Sequence, residues 1–216
     1  MAIIDKEIAA DALDDAAIAR LLTITGINLT VAAGIVAAIG DINRFSSPQK
    51  LVSYFGLTPR VRQSGLGAAH HGRISKVGRS HARAMLVEAA WAAAKTPGPL
   101  HAFFVRIRAK RGHQVAAVAL ARKLTVLCWH LLTKQADYRW VRPALVANKR
   151  RAMELKAGGP QRKGNQPGPA HAYNIKMLHD QETELARNAE RNYEQFVAQW
   201  QTRPKRVRGR SKSAGL

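Results

Sequence analysis

The chain has 216 residues, 46% of them apolar, and carries 35 Lys and Arg against 14 Asp and Glu for a net charge of +21. That length suffices for one or two compact cores, and so positive a field gathers polyanions, which makes nucleic acid the first partner to consider. The single cysteine, Cys128, rules out an intramolecular disulfide framework and a thiolate metal site, and the opening MAIIDKEIAA lacks a signal-length apolar run, so a cytoplasmic protein is expected.

Charge is unevenly laid out: residues 1–40 hold 2 basic and 5 acidic groups, 41–140 hold 17 and 3, and 141–216 hold 16 and 6. The basic surface therefore begins after residue 40. Residues 1–17 read as an acidic lead-in helix, with Asp5, Glu7, Asp11, Asp14 and Asp15 among Ala and Ile at helical spacing. A solvated helix face explains these carboxylates, and a metal cluster would need a framework that nothing else in the chain supplies.

From Ile18 the pattern is helix, tight turn, helix: AIARLLTIT, GIN, LTVAAGIVAAIG. Gly26 suits the turn, Asn28 or Thr30 the cap of the next helix, and Gly40 its end. Such a turn is like a helix-hairpin-helix element, whose amides face a backbone phosphate, with Gly26 and Asn28 as contacts. An ordinary αα-corner packing Ile35, Val36 and Ile39 into the core accounts for the same residues.

Ser47 and Pro48 open a short helix that offers Leu51, Val52, Tyr54 and Phe55 to the core. Residues 57–79 then turn glycine-rich with alternating Val61, Arg62 and Gln63, which predicts a loop with a short β-hairpin. Helices are expected over Ser80–Lys95 and His101–Arg111, parted by TPGP, and a central apolar helix over His113–Gln135. Arg122 and Lys123 interrupt the Val115–Leu132 run at its middle, which argues against a membrane span. A helix over 141–157, a linker over 158–172, a polar helix over 173–201 and a disordered basic tail over 202–216 complete the chain. The fold class is thus mainly α: a helical domain over 18–140 with a short hairpin insertion, and a helical basic C-terminal extension.

Chemistry concentrates between Thr58 and Arg83, where Arg60, Arg62, Arg73, Lys76, Arg79 and Arg83 surround Ser64, Ser75 and several glycines. Glycines let amides approach a phosphodiester and Arg forks hold its non-bridging oxygens. A serine there is a candidate nucleophile, with His70 or His71 as base, though the same residues would serve a loop that only binds backbone. Arg122 and Lys123 are further candidate nucleic-acid contacts. No nucleotide-binding glycine loop, HExxH or cysteine pair is present, and the adjacent His70 and His71 are weak evidence for zinc.

The phrases GI in the hairpin, IGDINRF, YFGLTPR, SG and GRISKVG with an arginine five residues on, continued by HQVAAVALARKLTVLCWHLL, stand in one order over residues 18–140. In order and spacing the stretch resembles the C-terminal transposase domain of the DEDD-type insertion-sequence transposases, the IS-one-ten class related to the Piv/MooV DNA invertases. The resemblance implies a recombinase guided by a structured RNA, acting on DNA as a homo-oligomer through a serine-linked intermediate. It implies Ser64 as that serine, Ser75 as its rival, and Lys76 and Arg83 as the basic residues that follow. It also implies a preceding RuvC-like domain whose four acidic residues bind a divalent metal such as magnesium. Only about 17 residues precede the resemblance here, and LGAAHHG replaces the glycine-lysine pair usual after SG. The expectation is a transposase fragment, inactive without a RuvC-like domain in trans. A catalytically inactive remnant that binds DNA or structured RNA is the alternative, and a ribosome-associated basic protein would explain the charge but not the phrases.

Overall fold

The computed structural model describes residues 2–65, 67, 69–160 and 175–199. Most of linker 158–172, the ends of the helix expected over 173–201, and the tail 202–216 lie outside the described residues. The fold is mainly α, with one two-stranded sheet among the described residues. Its elements are α1 (Ala2–Leu13), α2 (Ala16–Leu22), α3 (Leu29–Ile39), a 3-10 turn (Ile42–Arg44), α4 (Pro48–Tyr54), β1 (Pro59–Arg62), β2 (His70–Ile74), α5 (Ser80–Lys95), α6 (Pro99–Arg111), α7 (His113–Lys134), α8 (Pro143–Lys156) and α9 (Lys176–Gln199).

Helix α7 is the centre, packed by α2, α4, α5 and α6. Leu120, Leu124 and Cys128 are fully buried on it. Its alanines Ala116, Ala117 and Ala121 and those of α5, Ala82, Ala89, Ala90 and Ala93, are buried in the same core, small side chains that let helix axes come close. Alone among the described helices, α7 has the length and composition to cross a bilayer. It is instead the core helix, and Arg122 and Lys123 emerge from it exposed. Gln135, in a left-handed conformation at φ 51°, closes it one residue before the expected end.

Two helix boundaries differ from expectation for local chemical reasons. The lead-in helix stops at Leu13, because Asp15 turns to cap α2: its Oδ1 accepts from the Ala17 amide at 2.7 Å and the Ile18 amide at 3.1 Å. Helix α6 begins at Pro99 rather than His101, since a proline fits the first helical turn where no amide donor is needed.

The C-terminal helices are pinned by polar contacts. Lys149 of α8 reaches the end of α2, its Nζ donating to the carbonyls of Leu22 at 2.7 Å and Ile24 at 3.1 Å. Burial holds its pKa down at about 8. Glu182 of α9 accepts from the Ala144 amide at 3.0 Å and from Arg142 Nε at 3.2 Å, so it both caps α8 and pairs with its neighbouring cation.

Candidate nucleic-acid interface

The hairpin projects from the body as a basic arm. Strands β1 and β2 pair antiparallel, Arg62 opposite His70 and Val61 opposite His71, with an irregularity between Pro59 and Val61. Residues 60–65 are exposed throughout, including Val61, so the arm buries no side chain there to hold itself in place. Arg60, Arg62, His70, Gly72 and Arg73 line an open depression of about 310 Å³. Ser64 lies at the exposed tip, where its carbonyl accepts from the Gly67 amide at 3.3 Å and Gly65 takes a positive φ of 56°.

Beneath the arm the two phrases YFGLTPR and ISKVG lie side by side. The amides of Ser75, Lys76 and Arg79 donate to the carbonyls of Thr58 at 2.8 Å, Gly56 at 3.1 Å and Tyr54 at 3.0 Å. Glycines permit this approach: a Cβ on Gly78 would stand 2.1 Å from the Tyr54 carbonyl oxygen, and one on Gly56 would stand 2.6 Å from that of Val77. Arg83 Nη1 donates to the carbonyls of Phe55 and Lys76, each at 3.1 Å, and Arg60 Nη2 to that of Ser75 at 3.1 Å. Ser75 is therefore a half-buried member of this clasp, whereas Ser64 stands free at the tip. Arg83 is likewise held by backbone partners, while Lys76 and Arg79 remain exposed beside it.

Gly26 and Asn28 sit elsewhere, on the α2–α3 corner. A Cβ on Gly26, whose φ is 92°, would stand 2.5 Å from the Ala89 carbonyl oxygen and 2.7 Å from the Ala93 amide nitrogen. The corner is thus pressed onto α5, and that close approach by itself requires a glycine at this position. The Asn28 Oδ1 caps its own helix by accepting from Val31 at 2.9 Å.

Ion pairing leaves the interface uncompensated. Among the described residues the Lys and Arg side chains that pair with carboxylates are Arg142 and Arg151, both on the α8 side of the molecule. None of the basic side chains of the hairpin or clasp does so, which leaves their charge available to an external anion. The tyrosine that the phrases place there, Tyr54, was read from sequence only as a core residue. Arg79 Nε donates to its hydroxyl at 2.7 Å, and that hydrogen bond, with the nearby positive charge of Arg44, holds the phenol below its usual pKa. The other residue there that local pattern does not single out is Arg44, whose guanidinium lies over the rings of Phe45 and Tyr54.

Other chemistry is narrower. Burial pushes the Cys128 thiol up to about 12, so it stays protonated and is no nucleophile. Among the described residues no group of His, Cys, Asp and Glu could hold a metal ion.

Residues 18–105 match the domain family described as Transposase IS116/IS110/IS902 family. A "Probable family 20 transposase" of Pseudomonas aeruginosa is 32% identical over 140 residues, 63% of this chain and 41% of the relative. The "Transposase for insertion sequence element IS1111A" of Coxiella burnetii is 33% identical over 124 residues, 56% of this chain and 34% of the relative. The "Pilin gene-inverting protein" of Moraxella bovis is 28% identical over 120 residues, 55% of this chain and 37% of that protein. In each case the match spans well under two thirds of the relative's length.

Proposed function

We propose that this chain is the DNA-binding, serine-bearing half of an insertion-sequence transposase, working in the cytoplasm as a homo-oligomer with a guide RNA and a RuvC-like domain in trans. The observation that carries the reading is the joining of the family match over residues 18–105 to an exposed basic hairpin with a serine at its tip. Arg60, Arg62 and Arg73 suit the non-bridging oxygens of a phosphodiester, and Lys76 and Arg79 extend the same charge toward α5. The other candidate contacts, Arg122 and Lys123, are exposed on α7.

In the proposed step Ser64 Oγ forms a bond to phosphorus as the bond from phosphorus to a sugar oxygen breaks. The hydroxyl proton leaves to a base, for which His70 opposite Arg62 is the candidate, and the departing sugar oxygen takes up a proton. One phosphodiester replaces another, so no external energy source enters the balance. The arginines supply what the reaction demands most, positive charge beside the oxygens on which negative charge accumulates.

The test mixes the chain with a RuvC-like partner, guide RNA and target DNA in magnesium and looks for a covalent protein–DNA adduct on a denaturing gel. An adduct lost in Ser64→Ala and only weakened in Ser75→Ala is expected. Loss in Ser75→Ala with persistence in Ser64→Ala would reverse the assignment, and absence of any adduct beside intact DNA binding would favour the binding-only remnant.

A further inference from the structure

We infer that Arg44, Tyr54 and Arg79 form a second phosphate site, on the body of the molecule next to the hairpin, that takes the phosphodiester backbone of a nucleic acid. The inference rests on the nucleic-acid reading, which already includes Arg79, and deepens it by adding Arg44 and Tyr54 to form a defined subsite. Three segments converge to make it: the end of the 3-10 turn, the end of α4, and the residue before α5.

The Arg44 Cζ lies 4.6 Å from the Phe45 ring centroid and 4.7 Å from that of Tyr54, so its guanidinium rests on two aromatic faces. Arg79 comes to the same ring with its Cζ 5.6 Å from the centroid and its Nε 2.7 Å from the hydroxyl. The platform under them is anchored. Phe45 and Tyr54 pack at 5.2 Å between centroids, and the Phe45 carbonyl accepts from Trp129 Nε1 of α7 at 2.9 Å. On the other side Gly78, at φ 128°, lets the chain lie so close to Tyr54 that the Arg79 amide bonds the Tyr54 carbonyl.

What the arrangement lacks is an anion. Two guanidiniums converge on one phenol, and neither pairs with a carboxylate among the described residues. A phenol oxygen accepts far fewer hydrogen bonds than two guanidinium forks donate, so most of their donors are left to an outside acceptor. Both cations draw the phenol's ionisation down, which reports how closely their charge is focused. A tetrahedral phosphate offers non-bridging oxygens to both forks and to the tyrosine hydroxyl, and two pre-ordered arginines lose little freedom in taking it. A purely structural pair would be satisfied by a single arginine on the ring, without a second like charge held beside it.

The experiment titrates the full chain into fluorescently labelled duplex DNA and, separately, a labelled RNA hairpin at several salt concentrations. Arg44→Gln/Arg79→Gln should weaken binding by about tenfold and reduce the magnitude of the salt slope by about one, since one phosphate contact is lost. Tyr54→Phe, which keeps the ring and removes the hydroxyl, should weaken binding by about threefold with little change in slope. The tyrosinate absorbance that distinguishes wild type from Tyr54→Phe should move to higher pH when nucleic acid is bound, because the anion offsets the two cations. Effects on DNA, on RNA or on both identify the source of the phosphate and support the site. A double variant with wild-type affinity and slope on both ligands would overturn this site alone; a wild-type chain that binds neither ligand would overturn the functional reading and the site with it.

Discussion

The hairpin arm and the helical body hold their shapes by opposite means. In the body, Leu86, Leu120 and Leu124 are fully buried and Gly26 abuts the backbone of α5, so close packing dictates the residue at each position. In the arm, residues 60–65 are exposed, and a Cβ on Gly65 would meet nothing among the described residues within 4 Å. The body therefore stores the stability, and the arm is left to be chosen for what it touches. Charge does not follow this division: among the described residues the arm's arginines have no carboxylate partners, and on the body only Arg142 and Arg151 do.

The sharpest contrast should come from a core truncation. Leu124→Ala is expected to lower unfolding free energy by about 3 to 5 kcal/mol, measured by urea denaturation. Unchanged stability would remove α7 from the centre of the fold. Next comes Lys149, whose folded pKa of about 8 lies below its usual value of 10.5. The folded state then binds fewer protons than the unfolded state between those values, so stability should rise with pH across that window. Relative to Lys149→Met, which lacks the titration, the wild type should gain on the order of 3 kcal/mol from pH 8 to 10.5. A difference that is flat with pH would mean the amine is not held against its charge.

Glycines offer a matched pair. Gly26→Ala, with a Cβ 2.5 Å from the Ala89 carbonyl oxygen, should cost about 2 to 3 kcal/mol. Gly65→Ala meets only its positive φ, in an arm able to readjust, and should cost no more than about 1 kcal/mol by the same denaturation assay. Equal costs would erase the distinction between arm and body. Smallest of all, Arg62→Ala should leave stability within about 0.5 kcal/mol of wild type while weakening nucleic-acid binding in a salt-dependent manner.

The body was the more legible of the two in the sequence. Proline and glycine punctuate it, and the apolar run of α7 could only belong inside, so helix positions followed to within a few residues. Asp15 was harder to place, because an acid at helical spacing serves equally as a helix-face residue or as the cap of the next helix. Gly26 is open for a related reason: a turn glycine looks the same whether its amide faces phosphate or its Cα abuts α5, and the contact to Ala89 and Ala93 is a tertiary feature that the local sequence does not encode. The hairpin was visible through its glycines and alternation, and Ser64 and the arginines could be named. Pattern gives Tyr54 only as a core residue and Arg44 only as a member of the phrase IGDINRF, since the bond that joins Tyr54 to Arg79 spans 25 positions and no local pattern encodes it. Lys149 was hidden likewise, as nothing in PALVANKRR marks which of its cations turns inward.

If the hairpin arginines that lack carboxylate partners bind a nucleic-acid backbone, duplex DNA binding must depend on salt. With about six phosphates neutralised, log affinity should fall with log salt at a slope of about −5 for the wild-type chain. Arg60→Ala/Arg62→Ala/Arg73→Ala should bring that slope to between about −2 and −3. A wild-type affinity that stays flat between low and moderate salt, or a triple variant with the wild-type slope, would contradict the account.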